Sequence, residues 1–148
     1  MSFFYVLCRF SQIILYFRYN TLKRTNLSVL NYCYEGQMET IEIERLIRTL
    51  GIGATYRGYR YLSYGIYLCL QDENYLLSVS KLLYPQIAHM YRTTSSSVER
   101  DLRTVIRVCW ERGNKDYLEK LAMHTLDSRP TSGEFIDILV AYINHHKK

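Results

Sequence analysis

Between residues 95 and 112 the apolar positions Val98, Leu102, Val105, Ile106 and Cys109 recur at the spacing of one helix face. Ser96, Glu99, Arg100, Arg103, Thr104 and Arg107 fall on the other face. Such a run folds as an amphipathic helix whose apolar stripe requires a core to pack on. It cannot serve as a half-buried strand, whose two sides alternate at every residue. Gly113-Asn114 supplies the stop, and Arg92-Thr93-Thr94 is a short polar break ahead of it.

The helical period recurs through residues 38–148. Ile43, Leu46, Ile47 and Leu50 form one stripe, closed by Gly51 and Gly53, since glycine accepts the left-handed conformation that ends helices. A second helix is predicted over about 58–70, burying Tyr59, Leu62, Ile66 and Cys69 or Leu70. A third runs from about Tyr75 through Leu82 and Leu83. Pro85 then marks a new start, because proline fits the first turn of a helix and not its interior. This next helix, 85–91, turns Ile87, Ala88 and Tyr91 inward. Two more fit about 116–124 and 134–146, the last capped by Thr131 or Ser132. No alternating pattern of useful length is present, so the expected fold is all-α.

Residues 1–37 read differently. They are rich in Phe and Tyr and carry one acid, Glu35, against Arg9, Arg18, Lys23 and Arg24. The stretch 3–17 is apolar but shorter than a membrane span and interrupted by Arg9. It also lacks the small-residue cleavage site of a secretory signal. A docked helix, a weak membrane anchor, or sequence upstream of a true start at Met38 all remain open. The domain expected to carry function is 38–148.

Charge and cysteine usage narrow the class. The 148 residues carry a formal charge of +5, a mildly basic balance that suits a polyanionic partner without requiring one. Cys8, Cys33, Cys69 and Cys109 are widely spaced, with no C-x-x-C pair, which speaks against a zinc site or a disulfide framework. Buried thiols in a reduced cytoplasmic protein are expected instead. The sequence holds no G-x-S-x-G, H-E-x-x-H, Walker loop or post-strand G-x-G-x-x-G. His89, His124, His145 and His146 have no ligand spacing with the cysteines. No catalytic residue, metal, cofactor or small-molecule substrate is expected.

A short helix, a tight polar break and a longer helix is the order that places a second helix in the major groove of DNA. Arg100 and Arg103 lie in the first half of the longer helix; arginine bonds guanine bidentately and glutamate accepts from cytosine N4. Thr94, Ser95 and Ser96 stand at its N-terminus, where hydroxyls and N–H groups grip phosphate. Two plainer readings compete. Ser96-x-x-Glu99 is also a capping box. The arginines are also placed for a solvated face paired with Glu99, Asp101 and Glu111.

The run from Thr93 to Arg103, continuing through Cys109-Trp110-Glu111-Arg112-Gly113-Asn114, closely resembles the C-terminal DNA-binding effector domain of the stage 0 sporulation protein A family of response regulators. Further matches follow in the family's order across about 41–146. They are Gly51-Ile52 through Arg57-Gly58-Tyr59-Arg60-Tyr61-Leu62, Lys81-Leu82-Leu83-Tyr84-Pro85-Gln86-Ile87-Ala88 and Pro130-Thr131-Ser132-Gly133-Glu134-Phe135-Ile136.

The resemblance implies a six-helix, all-α, bundle-like domain with a helix-turn-helix that reads a short promoter element in double-stranded DNA. It implies homodimers on tandem sites and contact with the RNA polymerase sigma subunit through about 113–126. Ser95, Ser96, Ser97, Glu99, Arg100, Arg103, Thr104 and Arg107 are then the expected DNA-binding residues, with Glu99, Arg100 and Arg103 foremost. The chain departs from the family at Ser97, where arginine is usual, at Asp101, where a small residue is usual, and at Thr104, where histidine is usual. One cation fewer and one acid more should weaken phosphate attraction. Residues 1–37 are too short for the family's phosphoacceptor domain, so control by something other than aspartyl phosphorylation in this chain is expected. The competing function is a protein-interaction module, or a partner in an inactive dimer, with weak or no DNA binding.

Overall fold

The computed structural model describes residues 39–146. The three readings of residues 1–37 lie outside the described residues, as do Cys8 and Cys33. The described part falls within the second of the two units into which the chain divides, residues 36–148.

Among the described residues there are seven α-helices and no strand: α1 (39–49), α2 (Arg57–Gln71), α3 (Asn74–Leu77), α4 (Tyr84–Tyr91), α5 (Ser95–Arg112), α6 (Lys115–Ala122) and α7 (Ser132–His146). A π-helical turn, Val79–Leu83, joins α3 to α4. None of these helices is long and apolar enough to cross a membrane. The all-α expectation is met.

The long helix α5 is the spine, packed against α2, α4, α6 and α7. Its stripe of Val98, Leu102, Val105, Ile106 and Cys109 is buried as predicted. Facing it in the same core are Ile43, Ile47, Leu50, Leu62, Ile66, Leu83, Ile87, Phe135, Ile136 and Leu139. Leu102 is wholly buried, and its truncation to alanine costs about 2–5 kcal/mol on the scale of core cavities. Cys69 and Cys109 are buried thiols, while Leu70 is half-buried.

Two backbone contacts fix where α5 sits. Gly58 of α2 lies directly on its main chain: a Cβ there would stand 2.2 Å from the Asp101 carbonyl oxygen. At the other end Gly51, with φ +81°, turns the chain out of α1 and lies on Gly113, where an added Cβ would meet Gly113 Cα at 2.7 Å. The Asn114 N–H donates to Leu50 O at 3.1 Å across this junction. Asn114 also caps α6, its side-chain oxygen accepting from Tyr117 N–H at 3.1 Å.

The structure corrects several local expectations. The third helix does not run unbroken over 75–83; it breaks at Ser78, where φ is −145° and ψ 64°. The π turn leads straight into α4, which starts at Tyr84 with Pro85 in its first turn, as expected. Proline lacks a donor and crowds the carbonyl four residues back, and the wider π turn stands just where that strain falls. Taken as one path, α3, the π turn and α4 bring the helical segments to the expected six. Gly53 has no left-handed φ, so Gly51 alone supplies that conformation at the end of α1. Helix α6 stops at Ala122, two residues early, with Met123 left-handed at φ 60°. Helix α7 starts at Ser132 behind Thr131, whose oxygen accepts from Glu134 N–H at 3.3 Å while its own N–H and O–H donate to Glu134 Oε2 at 2.8 and 2.9 Å.

Candidate nucleic-acid interface

The turn between α4 and α5 is a Schellman-type stop. Arg92 takes the left-handed conformation at φ 52°, and the Thr93 N–H returns to Ala88 O at 2.9 Å. Thr94 then opens α5. Its hydroxyl oxygen accepts from the Ser97 N–H at 3.2 Å and its hydrogen goes to Ser97 Oγ at 3.0 Å. Thr94 is therefore the N-cap, and the Ser96–Glu99 capping box does not form. Glu99 is turned along the helix to Arg103 instead, at 2.6 Å.

The outward face of α5 borders an open hollow lined by Ser96, Glu99, Arg100, Arg103, Thr104, Arg107 and Arg129. Six of the eight expected residues are thus brought together. Ser95 and Ser97 are half-buried and lie outside the lining, Ser97 being engaged with Thr94. The Thr104 hydroxyl donates to Arg100 O at 3.0 Å, leaving its oxygen lone pair and methyl group for a ligand. Arg100 stands 3.7 Å from Asp101, and Arg107 has no ion-pair partner among the described residues. The paired-face reading therefore holds for Arg100 and Arg103 and not for Arg107.

Arg129 was not foreseen. It comes from the loop between α6 and α7, and its neighbour Pro130 is buried. The same loop is tied back where the Leu126 N–H donates to Glu119 Oε1 at 3.0 Å. Lys115 holds Glu119 at 3.7 Å and lies 4.1 Å from the Trp110 ring centroid at the end of α5. These contacts tie the loop from which Arg129 comes to α6 and to the end of α5, and Arg129 borders the same hollow as the outward face of α5. A second hollow continues along α5 past Thr104 and Arg107 to Glu111, Arg112 and Tyr56.

Chemically this face offers planar guanidinium donors, one carboxylate acceptor and serine at a helix N-terminus, a set suited to base edges and phosphates. Among the described residues no three His, Cys, Asp or Glu side chains gather as metal ligands would. Burial pushes the Cys69 and Cys109 thiols up to about 12 and about 11, so both stay protonated near neutrality.

Among the described residues the all-α domain sets a long helix with four arginines behind a short helix and a tight turn, the order found in helix-turn-helix DNA-binding domains. Residues 43–143 match the family described as Sporulation initiation factor Spo0A C terminal. The chain belongs to that family. Its members are DNA-binding domains of sporulation transcription regulators and not a known enzyme family.

Proposed function

We propose that this domain is a sequence-specific reader of duplex DNA, with α4 and α5 acting as the helix-turn-helix and α5 entering the major groove. The observation that carries this reading is the convergence of Arg100, Arg103, Arg107 and Arg129 on one open hollow beside the α5 N-terminus. Arg100, Arg103 and Glu99 take the base edges; Ser96, Arg107 and Arg129 take flanking phosphates, with Ser95 and Thr104 beside them. Ser97 supports the cap from which the helix starts.

Three finer readings accompany it. The domain binds as a homodimer on tandem sites. The segment of about 113–126 meets the polymerase sigma subunit, supported by Met123, 78% exposed at the end of α6. Control comes from something other than aspartyl phosphorylation within residues 39–146, since these fold as the helices of the effector domain itself.

A selection from a random duplex pool tests the central reading. A short recurring element should be enriched, and its binding should weaken steeply with salt as counterions are released. Recovery of a pool with no preferred element would remove the specific-reader reading.

A further inference from the structure

We propose that Asp101 is a built-in electrostatic screen that suppresses binding to duplex DNA of arbitrary sequence. The inference rests on the DNA-reading role of α5.

Two of the four arginines at the hollow are already engaged by acids of their own helix. Arg103 Nη2 lies 2.6 Å from Glu99 Oε1, and Arg100 Nε lies 3.7 Å from Asp101 Oδ1. In both pairs the carboxylate is the more sheltered partner: the Arg100 and Arg103 side chains are 73% and 71% exposed, those of Asp101 and Glu99 20% and 39%. The acids therefore lie beneath the guanidinium groups, on the helix flank, and a phosphate approaching either arginine meets a negative charge behind it.

Glu99 and Asp101 differ in what they offer a ligand. Glu99 lines the hollow and can accept from a base amino group. Asp101 is absent from the lining, so it repels backbone phosphate without a base contact to offset the repulsion. Its main chain is held in place on α5, where the backbone carbonyl lies against Gly58 of α2, so the residue stays on this flank of the helix. A negative charge on this flank lowers sequence-independent attraction for every duplex alike. The energy that remains comes in larger part from base contacts, and discrimination rises as affinity falls.

The test is Asp101→Asn, which keeps the side-chain shape, beside Glu42→Gln, which removes an exposed acid from α1. Affinities of the full chain are measured on a random-sequence duplex and on the element recovered by selection, across a salt series, with thermal melting as the fold check. Asp101→Asn should tighten random-duplex binding about 3–10-fold at low salt and steepen the log–log salt dependence by up to about one counterion. The ratio of selected to random affinity should fall, and Glu42→Gln should leave it unchanged. Equal random-duplex affinity for Asp101→Asn and Glu42→Gln, with steep salt dependence in the unsubstituted chain, would overturn the screen while leaving DNA reading intact. Absence of binding to either duplex would overturn both.

Discussion

Gly58 and Asp101 meet main chain to main chain: an added Cβ on Gly58 would stand 2.2 Å from the Asp101 carbonyl oxygen and 2.8 Å from its carbon. No side-chain rotation relieves such a contact, so α2 sets the depth at which α5 lies in the domain. The position of the arginine-bearing face of α5 thus depends on a residue that carries no functional group.

Gly58→Ala should therefore be destabilising despite alanine's better helix propensity. The propensity gain is about 1 kcal/mol. Forcing α2 from α5 costs about 1–3 kcal/mol or more, and the backbone oxygen cannot yield as a flexible side chain would. Urea unfolding should show a lower midpoint, and DNA affinity should fall with no charge altered. An unchanged midpoint would mean that the two helices separate freely.

The Thr131–Glu134 cap gives a pH signature. Hydrogen bonds from the Thr131 N–H and then its O–H hold the Glu134 carboxyl below its ordinary value. A group whose folded pKa is depressed contributes stability above its unfolded pKa, about 4.3, and loses it as pH falls through the folded value. Melting of Glu134→Gln should lie below that of the unsubstituted chain at neutral pH, and the gap should close on acidification. A gap constant with pH would remove the carboxylate from the cap.

The buried thiols should be chemically silent. With Cys8 and Cys33 replaced by serine, native protein at pH about 8 should resist a disulfide reagent, because only the thiolate reacts and burial keeps it scarce. Denaturant should release both Cys69 and Cys109. Their raised pKa values also mean that stability declines as pH climbs from the ordinary thiol value toward about 11 to 12, where the unfolded chain alone ionises. Rapid native labelling would show that α2 or α5 opens locally.

Much of this was legible in the sequence, and the failures have physical reasons. The period of α5 named its buried stripe without error, because Val98 to Cys109 sample the core face over several turns. Pro85 marked the start of α4, but nothing in the apolar period of 75–83 told of the break at Ser78 or of the π turn after it. Ser96 and Glu99 match a capping box, yet Thr94 stands two residues earlier and takes the cap. Arg129 was missed because its nearness to Arg107 is tertiary, created by the α6–α7 loop and the buried Pro130. The one available cue was a cation immediately before a proline at a helix start.

The most direct measurement titrates the selected duplex with Arg100→Ala and Arg129→Ala across a salt series. Arg100→Ala should lose about 1–3 kcal/mol and relax preference at one base position. Arg129→Ala should weaken selected and random duplexes alike and reduce the salt slope by about one. Undiminished affinity in both variants, with the fold intact, would contradict the assignment of the α5 face as the DNA-reading surface.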